Sequence, residues 1–287
     1  METFLMTFTH KLFRKPSFTT SAFATTAALI FNISAFSSPV LAEETQAITS
    51  PLENVYQAQI NSYYSINGFY NFSANQGDQK HLSVIVDATD KIDDLIEKVQ
   101  ESADKAPDTE AFENVTGAWK KYQKVLNLNI KEVNKTGYPD LRLAGDMATE
   151  NISLNRTLQA LYSSLATIPS QKPNQATEVS RQAGLSLALM MTKYSARTTS
   201  TVSQVYSGGD MEITIDTLAT DFEVNLKQLM KLSEGNEQAL DLLDSALTKW
   251  DFIKSSYINY NENRVNFIVN LYSKKIISDI DLALETL

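Results

Sequence analysis

A chain of 287 residues with 43% hydrophobic and 21% charged residues has the makings of a folded core and lacks the composition of a disordered chain. Nine Gly and seven Pro are too few for the turns of a large all-β protein, so helices are favoured. The absence of Cys excludes disulfides, thiolate metal sites and haem attachment through thioethers, and a formal charge of −9 disfavours nucleic acid and anionic membrane surfaces as partners.

The first 42 residues read as a secretory signal. Lys11, Arg14 and Lys15 form a basic start, residues 21–36 are apolar but diluted by Thr, Ser and Asn, and Pro39-Val40-Leu41-Ala42 offers small residues for cleavage after Ala42. The alternative is a retained anchor, but the apolar core falls short of the ~20 residues a span needs. The expectation is an exported, periplasmic protein with no stable membrane insertion once the signal is removed. Removing Glu2 and three basic residues takes the formal charge from −9 to −11.

Eight helices are expected in the remainder. Pro51 occupies a favoured first-turn position, and the helix it opens carries Leu52, Val55, Tyr56, Ile60, Tyr63 and Tyr64 before Asn75-Gln76-Gly77-Asp78 stops it. Its polar residues are Gln, Asn and Ser, and Glu53 is its only charge. A second helix covers about 80–102, with Ile85, Ile92, Leu95 and Val99 inward and Asp90, Asp93, Asp94 and Glu97 in solvent. A break at 106–108 precedes a third at about 109–133, and a fourth covers 141–165. Ile168 to Asn174, with two Pro, is the clearest linker. Beyond it come helices over about 175–206, 211–232, 237–260 and 262–287.

The two halves repeat. Phe112, Val115, Trp119, Tyr122 and Leu126 have the same 3/4 spacing as Leu243, Ala246, Trp250, Ile253 and Tyr257, and the only two Trp lie 131 residues apart. At that same offset Tyr63 meets Tyr194, Gly77 meets Gly208, and Ala88-Thr89-Asp90 meets Ala219-Thr220-Asp221. The reading is all-α: two tandem antiparallel four-helix modules, 43–168 and 175–287, after a signal peptide at 1–42. The tryptophans are then core residues.

Catalytic chemistry finds little support. His81 is the one histidine outside the signal and has no His partner. The di-iron Glu-x-x-His pattern, a phosphate loop and a nucleophile elbow are all missing. No enzyme, cofactor or metal is expected. Basic residues near apolar faces are more informative. Arg181, Lys193 and Arg197 share the first helix of the second module, where an arginine could grip an oxyanion bidentately.

Arg181-Gln182-Ala183-Gly184-Leu185-Ser186 resembles the Arg-Gln-Arg-Met-Leu-Ser-Gln-Arg stretch that opens the periplasmic helical domain of nitrate/nitrite sensor kinases and type IV pilus methyl-accepting chemotaxis transducers. The helices carrying Phe222, Trp250 and Tyr272 are similar too, so the likeness covers about 181–287, with the first module a diverged copy. Ala183 and Ala188 stand where the family has its second and third arginines. The resemblance implies a sensor-type input domain that binds a small anion or other small ligand through Arg181, Gln182 and Ser186 and that can form a homodimer, and Arg197, on the same helix, is a further candidate from its charge. With no kinase or methyl-accepting domain in the chain, the expectation is a sensory accessory protein acting through a protein partner in the envelope. The alternative is a structural or interaction module of the envelope without a small ligand.

Overall fold

The structure is a computed structural model that describes residues 50–103, 109–198, 213–259 and 265–287. The expected signal peptide and its cleavage point, the break at 106–108, Gly208 and the expected helix ends across 199–212 lie outside the described residues. The chain is all-α. Among the described residues there are eight helices and no strand: α1 Pro51–Ala74, α2 Gln79–Ala103, α3 Thr109–Thr136, α4 Leu141–Leu165, α5 Gln175–Thr198, α6 Ile215–Leu232, α7 Glu237–Ile258 and α8 Asn266–Glu285. Ile48–Leu287 form one compact unit.

Local chemistry sets the helix starts. Ser50 accepts the Glu53 amide at 3.2 Å ahead of Pro51, Asp140 caps α4 through the Leu143 amide, and Thr214 and Asn236 do the same for α6 and α7. Gly77 adopts φ +88° after α1, and its amide reaches back to the Phe72 carbonyl at 2.9 Å, a helix stop that residues with a Cβ rarely allow. The third helix runs three residues beyond its expected end, to Thr136, where Gly137 (φ +80°) halts it.

Helices adjacent in sequence pack as antiparallel neighbours within each half, and α1 packs on α5 as well as on α2 and α4. Glu53 meets Arg181, Tyr63 meets Thr192 and Asn67 meets Ser195, so α1 and α5 run parallel and in step. This central position explains why α1 carries almost no charge. Only Pro51, Glu53, Gln57, Tyr64, Asn71 and Ala74 keep appreciable exposure along it. Its polar residues are buried with partners from other helices: Ser65 Oγ lies 2.7 Å from the Tyr122 hydroxyl, and Asn155 donates to Ser62 Oγ at 2.6 Å.

The two tryptophans hold matching positions. Trp119 is 3% exposed and Trp250 0%, each in the third helix of its half. Trp119 Nε1 donates to Asp93 on α2 at 2.6 Å, and Trp250 Nε1 donates to Glu223 on α6 at 2.9 Å. Asp93, expected simply in solvent, is exposed but also accepts from Gln123. On α8 the buried stripe is Val269, Ser273, Ile276, Ile277, Ile280 and Ala283. The spacing also points to Ile268 and Leu287 as inward residues, but Ile268 is half-buried and Leu287 is exposed.

Candidate ligand groove

Arg181 is positioned by α5 and enclosed by α1 and α4. It is 6% exposed. One terminal nitrogen donates to Glu53 Oε2 at 2.8 Å and the other to the Tyr162 hydroxyl at 2.8 Å. The guanidinium carbon lies 5.7 Å from the centre of the Tyr56 ring and 5.4 Å from that of Tyr162. Tyr162 in turn donates to Glu178 at 2.6 Å. Burial alone would lower the Arg181 pKa, but bonds to Tyr162 and Glu53 outweigh it and hold the group charged. Two of its donor nitrogens are therefore committed inside the fold.

The other sequence candidates do not converge on it. Gln182 is exposed, Ser186 is half-buried, and Arg197 lies sixteen residues along the same helix, about 24 Å away at 1.5 Å per residue. Arg197 sits near Lys193, whose pKa is lowered by burial and by that neighbouring charge. Ala183 and Ala188 are fully buried. Gly184 shows why small residues collect here: a Cβ on it would come within 2.2 Å of the Tyr56 hydroxyl, so this surface of α5 is the close contact with α1.

The structure instead opens a groove that the sequence reading did not find. Its floor is α1 and its walls are α2 and α8. One compartment, about 660 Å³, is lined by Glu53, Gln57, Tyr64, Lys91, Lys274 and Asp281 among others. The next, about 800 Å³, shares Lys274 and is lined by Asn67, Asn71, His81, Val84, Ile268 and Leu271 among others. Both fall in the usual size range of small-molecule sites.

Two charged groups stand out. Lys274 Nζ lies 4.6 Å from the centre of the Tyr64 ring. Among the described residues Lys274 has no carboxylate partner within ion-pair distance. Its pKa is lowered by burial and by Lys91, with Asp87 opposing. Asp281 accepts from Tyr56 Oη at 3.1 Å and Gln57 Nε2 at 3.3 Å, both neutral donors. Its pKa is raised to about 6, first by burial and then by Glu53 and Glu285, against the pull of those two hydrogen bonds. A signal for the groove exists in the sequence. Lys274, Ser278, Asp281 and Glu285 recur at helical spacing on a stretch otherwise rich in Ile and Leu, which places charge beside the core face.

Among the described residues no group of three or more His, Asp or Glu is placed to hold a metal ion. No described helix is long and apolar enough to cross a membrane. Comparison with family models, curated proteins and solved structures finds no match to this chain.

Proposed function

We propose that the chain is a non-enzymatic binding protein, an exported sensory accessory, whose ligand occupies the groove between α1, α2 and α8. The observation that carries this reading is Lys274: a half-buried cation on the wall of an open cleft, over an aromatic face, with no carboxylate within ion-pair distance among the described residues. A desolvated charge of this kind is costly unless an anion completes it. Arg181, by contrast, has its charge answered by Glu53, so an anion has less to gain there. The likeness to sensor input domains supports the same class of function, with the ligand displaced from Arg181 on α5 to the adjoining groove, which shares Glu53 with it.

The test is a thermal-shift series with nitrate, nitrite, other small anions and amino acids. A ligand present at a hundred times its Kd and bound only to the folded chain adds about 2.7 kcal/mol of stability, which for a chain of this size raises the Tm by roughly 5–10 °C. Lys274→Met should abolish the shift, and Arg181→Lys should not. No shift with any compound overturns the reading.

The interaction-module reading has one observation in its favour. Phe267, Leu271 and Leu282 are 73%, 37% and 45% exposed along α8. A stable envelope partner recovered by pull-down, together with an absence of thermal shifts, would favour it.

A further inference from the structure

The charges in the first compartment are sorted along its length. Lys274 on α8, beside Tyr64, stands at the end that adjoins the second compartment, with Lys91 on α2 also lining the cleft, and Glu53, Asp281 and Glu285 line the end nearer the start of α1. Glu53 is answered by Arg181. Among the described residues Asp281 accepts only from neutral donors, and Lys274 lies over an aromatic face and forms no ion pair, with Asp87 acting on it at longer range. The two do not answer each other. They lie seven residues apart on α8, about 10 Å along the helix axis, and the cleft is open between them.

A cation and a carboxylate that form no ion pair among the described residues, held apart on one wall of a cleft, complement a molecule with both charges in the reverse order. We infer that the groove takes a free α-amino acid as its zwitterion, the carboxylate on Lys274 and the ammonium on Asp281. This rests on the groove being the ligand site. An amino acid has its two charged groups on neighbouring carbons, and a charge-assisted hydrogen bond of about 2.8 Å at each end extends its reach toward both residues. Lys91 adds positive potential on the carboxylate side, and Glu285 adds negative potential on the ammonium side. A simple anion such as nitrate would satisfy Lys274 and leave Asp281 without a cation. The second compartment, with Val84, Ile268 and Leu271 beside Asn67 and Asn71, offers room for an apolar or amide side chain past Lys274.

The experiment is calorimetry on the full chain at pH 7.5, with glycine, L-leucine and L-glutamine as probes. Each is paired with its N-acetyl form, which lacks the ammonium, and its carboxamide, which lacks the carboxylate. At least one free amino acid should bind, and both blocked forms should bind at least ten-fold more weakly. Asp281→Asn and Lys274→Met should each weaken binding ten-fold or more while keeping the far-UV circular dichroism of the parent. If the N-acetyl form binds as well as the free amino acid and Asp281→Asn has no effect, the groove binds anions only: the zwitterion is overturned and the ligand-site reading stands. If none of the three amino acids binds, the zwitterion is overturned, and if the thermal-shift series with nitrate and the other anions is also flat, the ligand-site reading falls with it.

Discussion

Arg181 has Glu53, Tyr162 and the Tyr56 ring as its surroundings, so its removal should be read first as a folding defect. Breaking a buried ion pair from one side leaves the other charge uncompensated, at a cost of about 3–5 kcal/mol. The low end applies here, because the Glu53 side chain keeps 27% of its exposure. Arg181→Met should lower stability by about 3 kcal/mol in urea titration, and adding Glu53→Gln should recover much of it. Additive losses in the double variant would show that the pair is not coupled. Asp281 gives the opposite kind of signature. Its folded pKa of about 6 exceeds its ordinary 3.8, so between those values the folded chain binds more protons than the unfolded one. The resulting stability is complete below 3.8 and is lost as pH rises through 6. Asp281→Asn is neutral throughout, so it should exceed the parent by about 3 kcal/mol at pH 7.5 and lose most of that advantage at pH 4. An advantage that does not change with pH would refute the assignment.

At the scale of the helices, two glycines separate local preference from packing. Gly117 is exposed on α3 with nothing within 4 Å of an added Cβ, so Gly117→Ala should stabilise by about 0.5–1 kcal/mol. Gly184→Ala gains the same helix propensity but drives its methyl into the Tyr56 hydroxyl. It should destabilise by about 1–3 kcal/mol, and Tyr56→Phe should reduce the penalty because the hydroxyl is the atom in the way. Thermal melts of the four combinations decide it. The same contrast governs what could be read from sequence. Spacing, Pro51 and the cap residues mark the helices well: α4 matches its expected bounds at 141–165, and α1 opens where Pro51 says. Each of those signals lies within a few residues. The groove has no such local origin. It needs α1, α2 and α8 side by side, and Glu53 and Asp281 are more than two hundred residues apart. Periodicity assigns Ile268 to the core because it reports a face of the helix, and the face next to the core on α8 is the groove wall. Arg181 was visible as a cation on an apolar helix, but its counter-ion lies 128 residues earlier.

For the molecule as a whole, the parallel contact of α1 with α5 matters most. Between Ser180 and Ala196, α5 is buried almost throughout, and its polar groups find partners across the half-boundary: Asn67 donates to the Met191 carbonyl at 3.2 Å and to Ser195 Oγ at 2.9 Å, and Thr192 donates to the Tyr63 carbonyl. A fragment of residues 175–287 keeps the second tryptophan and its bond to Glu223 but loses α1 entirely. The face of α5 that carries Ala183, Ala188 and Arg181 would then meet water, with the guanidinium parted from Glu53. Net stability of a folded domain is only about 5–15 kcal/mol, and a whole helix face with a buried ion pair is comparable to that margin. The fragment should therefore be helical by circular dichroism yet melt over a broad range at lower temperature, without the cooperative transition of the full chain. Adding the complementary fragment of residues 43–174 should restore a sharp melt, because α1 would again cover α5. Trp250 fluorescence gives a second probe, since that residue is fully buried and should redden in the isolated fragment. A fragment that melts as sharply as the parent would mean that each half folds on its own and that the α1–α5 contact only docks two finished bundles.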